Sequence, residues 1–156
     1  MNAGTLTKAN GPTEFTSQHF RIVYDYVGSF NLELPDHHFD FVFSISALEH
    51  TPEEEQTQVN VLADINRVMK PGCPSFHCFD AILRPAGNSW VNGLIPYIYA
   101  TQSLKTHFVP LAEIEADPDT YFMSQQAYEA NWQPFTYEPY EKFGQAFSIN
   151  LCWTAA

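Results

Sequence analysis

Residues Phe39 to Gly72, FDFVFSISALEHTPEEEQTQVNVLADINRVMKPG, carry the strongest structural signal in the chain. Phe41 to Ile45 is nearly all apolar, the composition of a strand buried on both faces of a parallel sheet. Asp40 leads it, and Ser44 and Ser46 bring polarity to its carboxyl end, where ligands bind in open α/β sheets. A helix follows. Thr51 suits its cap and Pro52 its first position. Glu53, Glu54 and Glu55 lie at the positive end of its dipole, and Val59, Leu62, Ile65 and Met69 recur at helical spacing. Pro71-Gly72 stops it. Ser75 to Ile82, SFHCFDAI, reads as a second strand, and this order predicts a right-handed parallel crossover.

Outward from this stretch the pattern weakens. Phe20 to Val27, FRIVYDYV, is β-rich and predicts a strand. A loop with a Pro35-Asp36 turn follows it. Residues 1–19 read as a loose leader. Downstream, Trp90 to Thr101 predicts a bent or broken helix, Leu111 to Ala116 a short element, and Pro118 to Trp132 a further helix. Two β-like runs close the chain. Pro134 and Pro139 interrupt Phe135 to Tyr140, whereas Ala146 to Trp153 is uninterrupted.

The 156 residues suffice for one domain with a core. Eighteen acidic against 7 basic residues give a formal charge of −11. That balance argues against nucleic acid or an anionic membrane surface as a partner. No apolar run is long enough to cross a bilayer. Cys73, Cys78 and Cys152 form no CxxC pair, which fits a reduced, cytoplasmic setting.

Leu34-Pro35, Phe39-Asp40, Leu48-Glu49-His50 and Arg67-Val68-Met69-Lys70-Pro71-Gly72, in this order and spacing, resemble class I S-adenosylmethionine-dependent methyltransferases of the type 11 kind. The match covers roughly residues 28 to 82, and Phe143-Gly144 to Leu151 is similar to the closing strands of that fold. The resemblance implies an α/β fold: an incomplete Rossmann-like methyltransferase sheet with flanking helices and a C-terminal antiparallel strand pair. Residues 20–156 would form this partial domain, with 84–132 as an acceptor-side helical insertion. In the family a glycine-rich turn after the first strand holds the cofactor. Gly4 and Gly11 do not supply it, because no strand leads into them and no helix follows. The expectation is therefore a truncated or split methyltransferase acting on a small-molecule acceptor and inactive alone, or a non-catalytic interaction module that kept the sheet.

By resemblance, Ser29, Phe30, Ser44 and Ser46 would face S-adenosylmethionine, and Glu49 the acceptor; Trp90 and Tyr97 would either line the acceptor pocket or, as aromatic helix faces more often do, pack in the core. His50 is either a general base, its ordinary pKa lying near neutrality, or a histidine packed at a helix start. Some members hold a metal through E-x-x-E-H. Here Ser46, Glu49 and His50 occupy those positions, so the first carboxylate is absent and no metal is expected. Asp36, His37, His38 and Asp40 read as a solvated turn without ligand spacing. Lacking the family's first strand, Phe41 to Ile45 would expose an apolar edge. The expectation is that Phe20 to Val27 pairs with it. A second copy of the chain, or the missing N-terminal half in trans, are the other ways to cover it.

Overall fold

The computed structural model describes residues 21–84, 87–105 and 109–155. Strands β1 (Val42–Ile45), β2 (Pro74–Leu83) and β3 (Gln145–Thr154) form a mixed sheet in the order β1-β2-β3. β1 runs parallel to β2, with Val42 opposite Ser75 and Ile45 opposite Cys78. β3 returns antiparallel along the whole of β2, from Pro74 opposite Thr154 to Leu83 opposite Gln145. The crossover between β1 and β2 is a 3-10 turn, Leu48–His50, followed by helix α1 (Glu55–Val68).

The helix begins later than its sequence suggests. The Thr51 amide donates to the Leu48 carbonyl and closes the 3-10 turn, while the Thr51 carbonyl accepts from Asn92 Nδ2 at 2.9 Å. Residues 51–54 are not helical, and the cap position falls to Glu54. The far end agrees with expectation to within a turn. Met69 is extended, bridges to Phe39, and is followed by Pro71-Gly72. The buried face of α1 is Val61, Leu62, Ile65 and Val68, with Val59 at its margin.

That face packs on Phe79 of β2 and on Leu151 and Trp153 of β3. Helix α2 (Leu94–Thr101) adds Leu94, Ile95 and Ile98. Each fully buried side chain of this size contributes roughly 1.5–3 kcal/mol. Asn92 places α2 by accepting the Leu94 amide at 2.8 Å, and the Trp153 indole donates to Asn66 of α1 at 3.0 Å.

Among the described residues between α2 and β3 lie five short helices: α3 (Leu111–Ala116), α4 (Pro118–Tyr121), α5 (Gln125–Asn131), α6 (Gln133–Thr136) and α7 (Tyr140–Phe143). The single helix expected over Pro118 to Trp132 is therefore two, broken where the Met123 amide pairs with the Ala146 carbonyl. Phe135 to Tyr140 is not a strand. Its first residues belong to α6, and Tyr137 takes a left-handed conformation at φ 57°. The antiparallel pair at the C-terminus is instead β2 with β3.

The segment 21–27 forms no strand and does not pair with β1, contrary to expectation; Phe20 lies outside the described residues. Asp64, buried on α1, captures the chain first. Its Oδ2 accepts the amides of Gly28 at 2.8 Å and Phe30 at 3.2 Å. The Ser29 amide turns back onto the Tyr26 carbonyl. Gly28 sits at φ +96°, and a Cβ there would lie 3.0 Å from the Val61 amide nitrogen. Only glycine allows this approach. Val23, Tyr26 and Val27 still face Phe41, Val42 and Phe43 across a cavity of about 360 Å³.

Arg67 completes the clamp. It donates to Asp64 Oδ1 at 2.8 and 3.0 Å, to Asp36 at 2.5 Å and to the Leu34 carbonyl at 2.7 Å. The hydrogen bonds it donates to Asp36 and Asp64 hold its pKa above the usual guanidinium value. Arg67→Met should cost about 3 kcal/mol in denaturant unfolding, because it strands the buried Asp64 charge. Lys70→Met, which breaks only an exposed pair with Asp40, should cost under about 1 kcal/mol.

Candidate functional site

Alternation along β2 gives the sheet two different faces. Ser75, His77, Phe79 and Ala81 are buried, whereas Phe76, Cys78, Asp80 and Ile82 are open to varying degrees. β3 follows the same rule, with Leu151 and Trp153 buried while Ser148 and Asn150 are exposed. A cavity of about 600 Å³ is lined by Asp80, Ile82, Ser148 and Asn150 of the open side and, at the end of the sheet, also by Ala81 and Phe147 of the other face. His50 and Trp90 line it as well, with Trp132 at the end of α5. This size suits a small organic molecule.

His50 and Trp90 meet, their ring centroids 5.8 Å apart. Trp90 is held by paired backbone hydrogen bonds with Ile82, at 2.8 and 2.9 Å. Ser148 donates to Asp80 Oδ1 at 3.2 Å. Tyr121 donates to Glu113, and this bond raises the phenol pKa. The sequence pattern offered no sign that Asp80, Ser148 or Trp132 would join one cavity, since they sit in elements far apart along the chain.

Of the residues expected to face the acceptor, His50 and Trp90 thus share a wall. Tyr97, on α2, lies elsewhere, half-buried against the core. Glu49 is buried at 1% exposure, and neither carboxylate oxygen has a hydrogen-bond partner among the described residues. A buried polar group without a partner costs about 1–3 kcal/mol.

The four residues expected to face the cofactor do not converge. Ser29 and Phe30 lie exposed on the turn fixed by Asp64, with Phe30 at φ 56°. Ser46 follows β1 at φ 47° and gives its amide to the Cys78 carbonyl. The Ser44 hydroxyl lies 2.7 Å from His77 Nδ1. A sulfonium nucleoside would need a close backbone cradle for its methionine part and a carboxylate for its ribose. Gly28 offers no such cradle, because α1 backbone already fills the space beside it. The described residues by themselves therefore do not fit the cofactor. Among them there is also no group of three or more His, Cys, Asp or Glu side chains able to hold a metal ion.

His77 is the strongly perturbed titratable group. Both ring nitrogens face serine hydroxyls, Ser44 and Ser75, and the ring stacks on Trp153 with centroids 4.6 Å apart. Burial lowers its pKa to about 4.

Comparison with known proteins agrees with the sequence reading. Residues 7–74, a little under half of the chain, match the family model described as a methyltransferase domain. That segment includes the strand β1, the LEH turn and the R-V-x-K-P-G helix end. It also reaches back into the region read from sequence as a leader. No curated protein matches the chain. A phosphoethanolamine N-methyltransferase 2 of Haemonchus contortus, in complex with S-adenosyl-L-methionine, aligns at 17% identity and a TM-score of 0.41. The alignment covers 78% of this chain and 34% of that one. The same enzyme with phosphomonomethylethanolamine and S-adenosylhomocysteine aligns at 12% identity and a TM-score of 0.35, with the same coverage. The chain thus spans about a third of the length of these structures. Among the described residues, no helix is long and apolar enough to cross a membrane.

The unfolded chain binds a proton at His77 below pH 6.5, whereas the folded chain resists it down to about 4. Stability from this group is therefore complete above pH 6.5 and falls away as the pH drops toward 4, by roughly 3 kcal/mol. Histidine NMR should show one imidazole titrating near 4. The same resonance titrating near 6.5 would place His77 in water.

Proposed function

We propose that the chain forms the acceptor side of an S-adenosylmethionine-dependent methyltransferase acting on a small molecule. The observation that carries this reading is the cavity at the carboxyl-terminal half of β2, with His50 of the LEH turn on its wall. The methyltransferase-domain match over the segment that builds this turn supports it. A sulfonium donor brings an already activated methyl, so a protein site contributes alignment and, where needed, removal of a proton. His50 is exposed, lines the cavity and is set against Trp90, a position suited to taking a proton from a bound acceptor. The cofactor's glycine-rich wall would come from outside the described residues, so these residues alone would be inactive.

A second reading has its own observation. Phe43 and Ile45 of β1, Phe41 just before it and Phe76 of β2 are 48–68% exposed. Contiguous apolar surface of this kind marks interaction sites. A non-catalytic module would present it to a protein, whether a second copy or a methyltransferase half supplied in trans.

Calorimetric titration with S-adenosylhomocysteine separates the readings. The purified chain should give no saturable binding. The chain complemented with a strand, glycine-rich turn and helix from a methyltransferase-domain protein should bind it one to one. In that complemented form His50→Ala should lower methyl transfer about 100-fold with cofactor affinity unchanged. Saturable binding by the chain alone would contradict the incomplete cofactor site. No binding in either form would refute the methyltransferase reading and favour the interaction module.

A further inference from the structure

The lining of the 600 Å³ cavity has an unusual composition. Trp90 and Trp132 come from different elements, and Phe122, Phe143 and Phe147 add further rings. The acidic side chain in this lining is Asp80, and no lysine or arginine lines it among the described residues. Nor does any ion pair join Asp80 to a cation among the described residues; its hydrogen bond comes from the neutral Ser148. Arg84, further along the same chain, gives its guanidinium to the carbonyls of Phe143 and Asn88.

Trp132 is 47% exposed and Trp90 half-buried, so indole surface stands open at the cavity instead of filling the core. Aromatic faces attract a cation, most strongly when it is poorly hydrated, as a methylated ammonium is. An uncompensated carboxylate adds directional charge. A phosphate or carboxylate ligand would meet Asp80 with no basic partner and would lose its hydration without replacement.

We propose that this cavity binds an organic cation, an aliphatic amine in its ammonium or methylated form, against the Asp80 carboxylate and the faces of Trp90 and Trp132, and that it discriminates against phosphorylated ligands. The inference rests on the reading of this cavity as the acceptor site, for which it names the chemical class. It concerns only residues of this chain, and its test needs no cofactor.

The intact chain is titrated with choline, with its neutral isostere 3,3-dimethylbutan-1-ol and with phosphocholine, following tryptophan fluorescence. Choline should bind at least about tenfold more tightly than either. Asp80→Asn should remove that preference and leave the weak binding of the alcohol unchanged. Trp132→Leu, at an exposed position that folding tolerates, should weaken choline about threefold to tenfold. Ser148→Ala should leave choline binding intact, which shows that Asp80 acts by its charge and not by holding β3. Equal binding of choline and the alcohol, binding of phosphocholine as tight as choline, or no binding of choline at tens of millimolar would each overturn the proposal. Choline binding without any complemented cofactor binding would remove methyl transfer and keep the cation site. The reverse pattern would keep methyl transfer and remove the cation site.

Discussion

The structure depends on the alternation of β2. This strand is paired along its full length with β3 and over four residues with β1, so its side chains cannot rotate between faces. A shift of register by one residue would put His77, Phe79 and Ala81 in the open and Asp80 in the core. On the closed side, Phe79, Trp153 and α1 make a core that excludes water. On the open side, the same strand presents Asp80 to a cavity. Core and candidate site are thus two consequences of one backbone ladder, with the core fixing the position of the site.

The second fixed point is α1. Asp64 and Arg67 lie on its flank and gather the loop 28–38 through main-chain amides and carbonyls. These bonds are short-range and directional, and they prevail over the β propensity of the residues before Gly28. The segment bends toward α1 instead of lying along β1, so among the described residues β1 keeps an outer edge with no strand paired to it. Local capture by a buried carboxylate thus accompanies an open strand edge at β1.

The legible part of the fold was the part where pattern and tertiary structure agree. β1, α1, β2 and β3 follow apolar runs and a helical stripe that burial reinforces, and the parallel crossover follows from their order. Thr51 and Pro52 read locally as a helix start, but Thr51 closes the 3-10 turn and bonds to Asn92, far along the chain, and α1 starts after it. No local signal reveals such a partner. Phe135 to Tyr140 looked β-like because of its aromatic residues, but Pro134 favours the first turn of a helix and the chain followed it. Of the candidate site, His50 and Trp90 were legible from motif and aromaticity. Asp80 and Trp132 join them only through three-dimensional folding. Ser44 shows the opposite case: its place at the strand end suggested a ligand, and the structure sets it against His77.

The division of the sheet into a closed core and an open face has an internal control in the three tryptophans. Trp153 is fully buried on the closed side, and Trp90 and Trp132 line the cavity. Indole N–H signals recorded with a neutral, soluble gadolinium chelate test this most directly. The structure predicts that Trp132 and Trp90 broaden while Trp153 stays sharp and its proton exchanges slowly. Broadening of Trp153 to the same degree, or protection of all three, would contradict the division of the sheet into a closed and an open face.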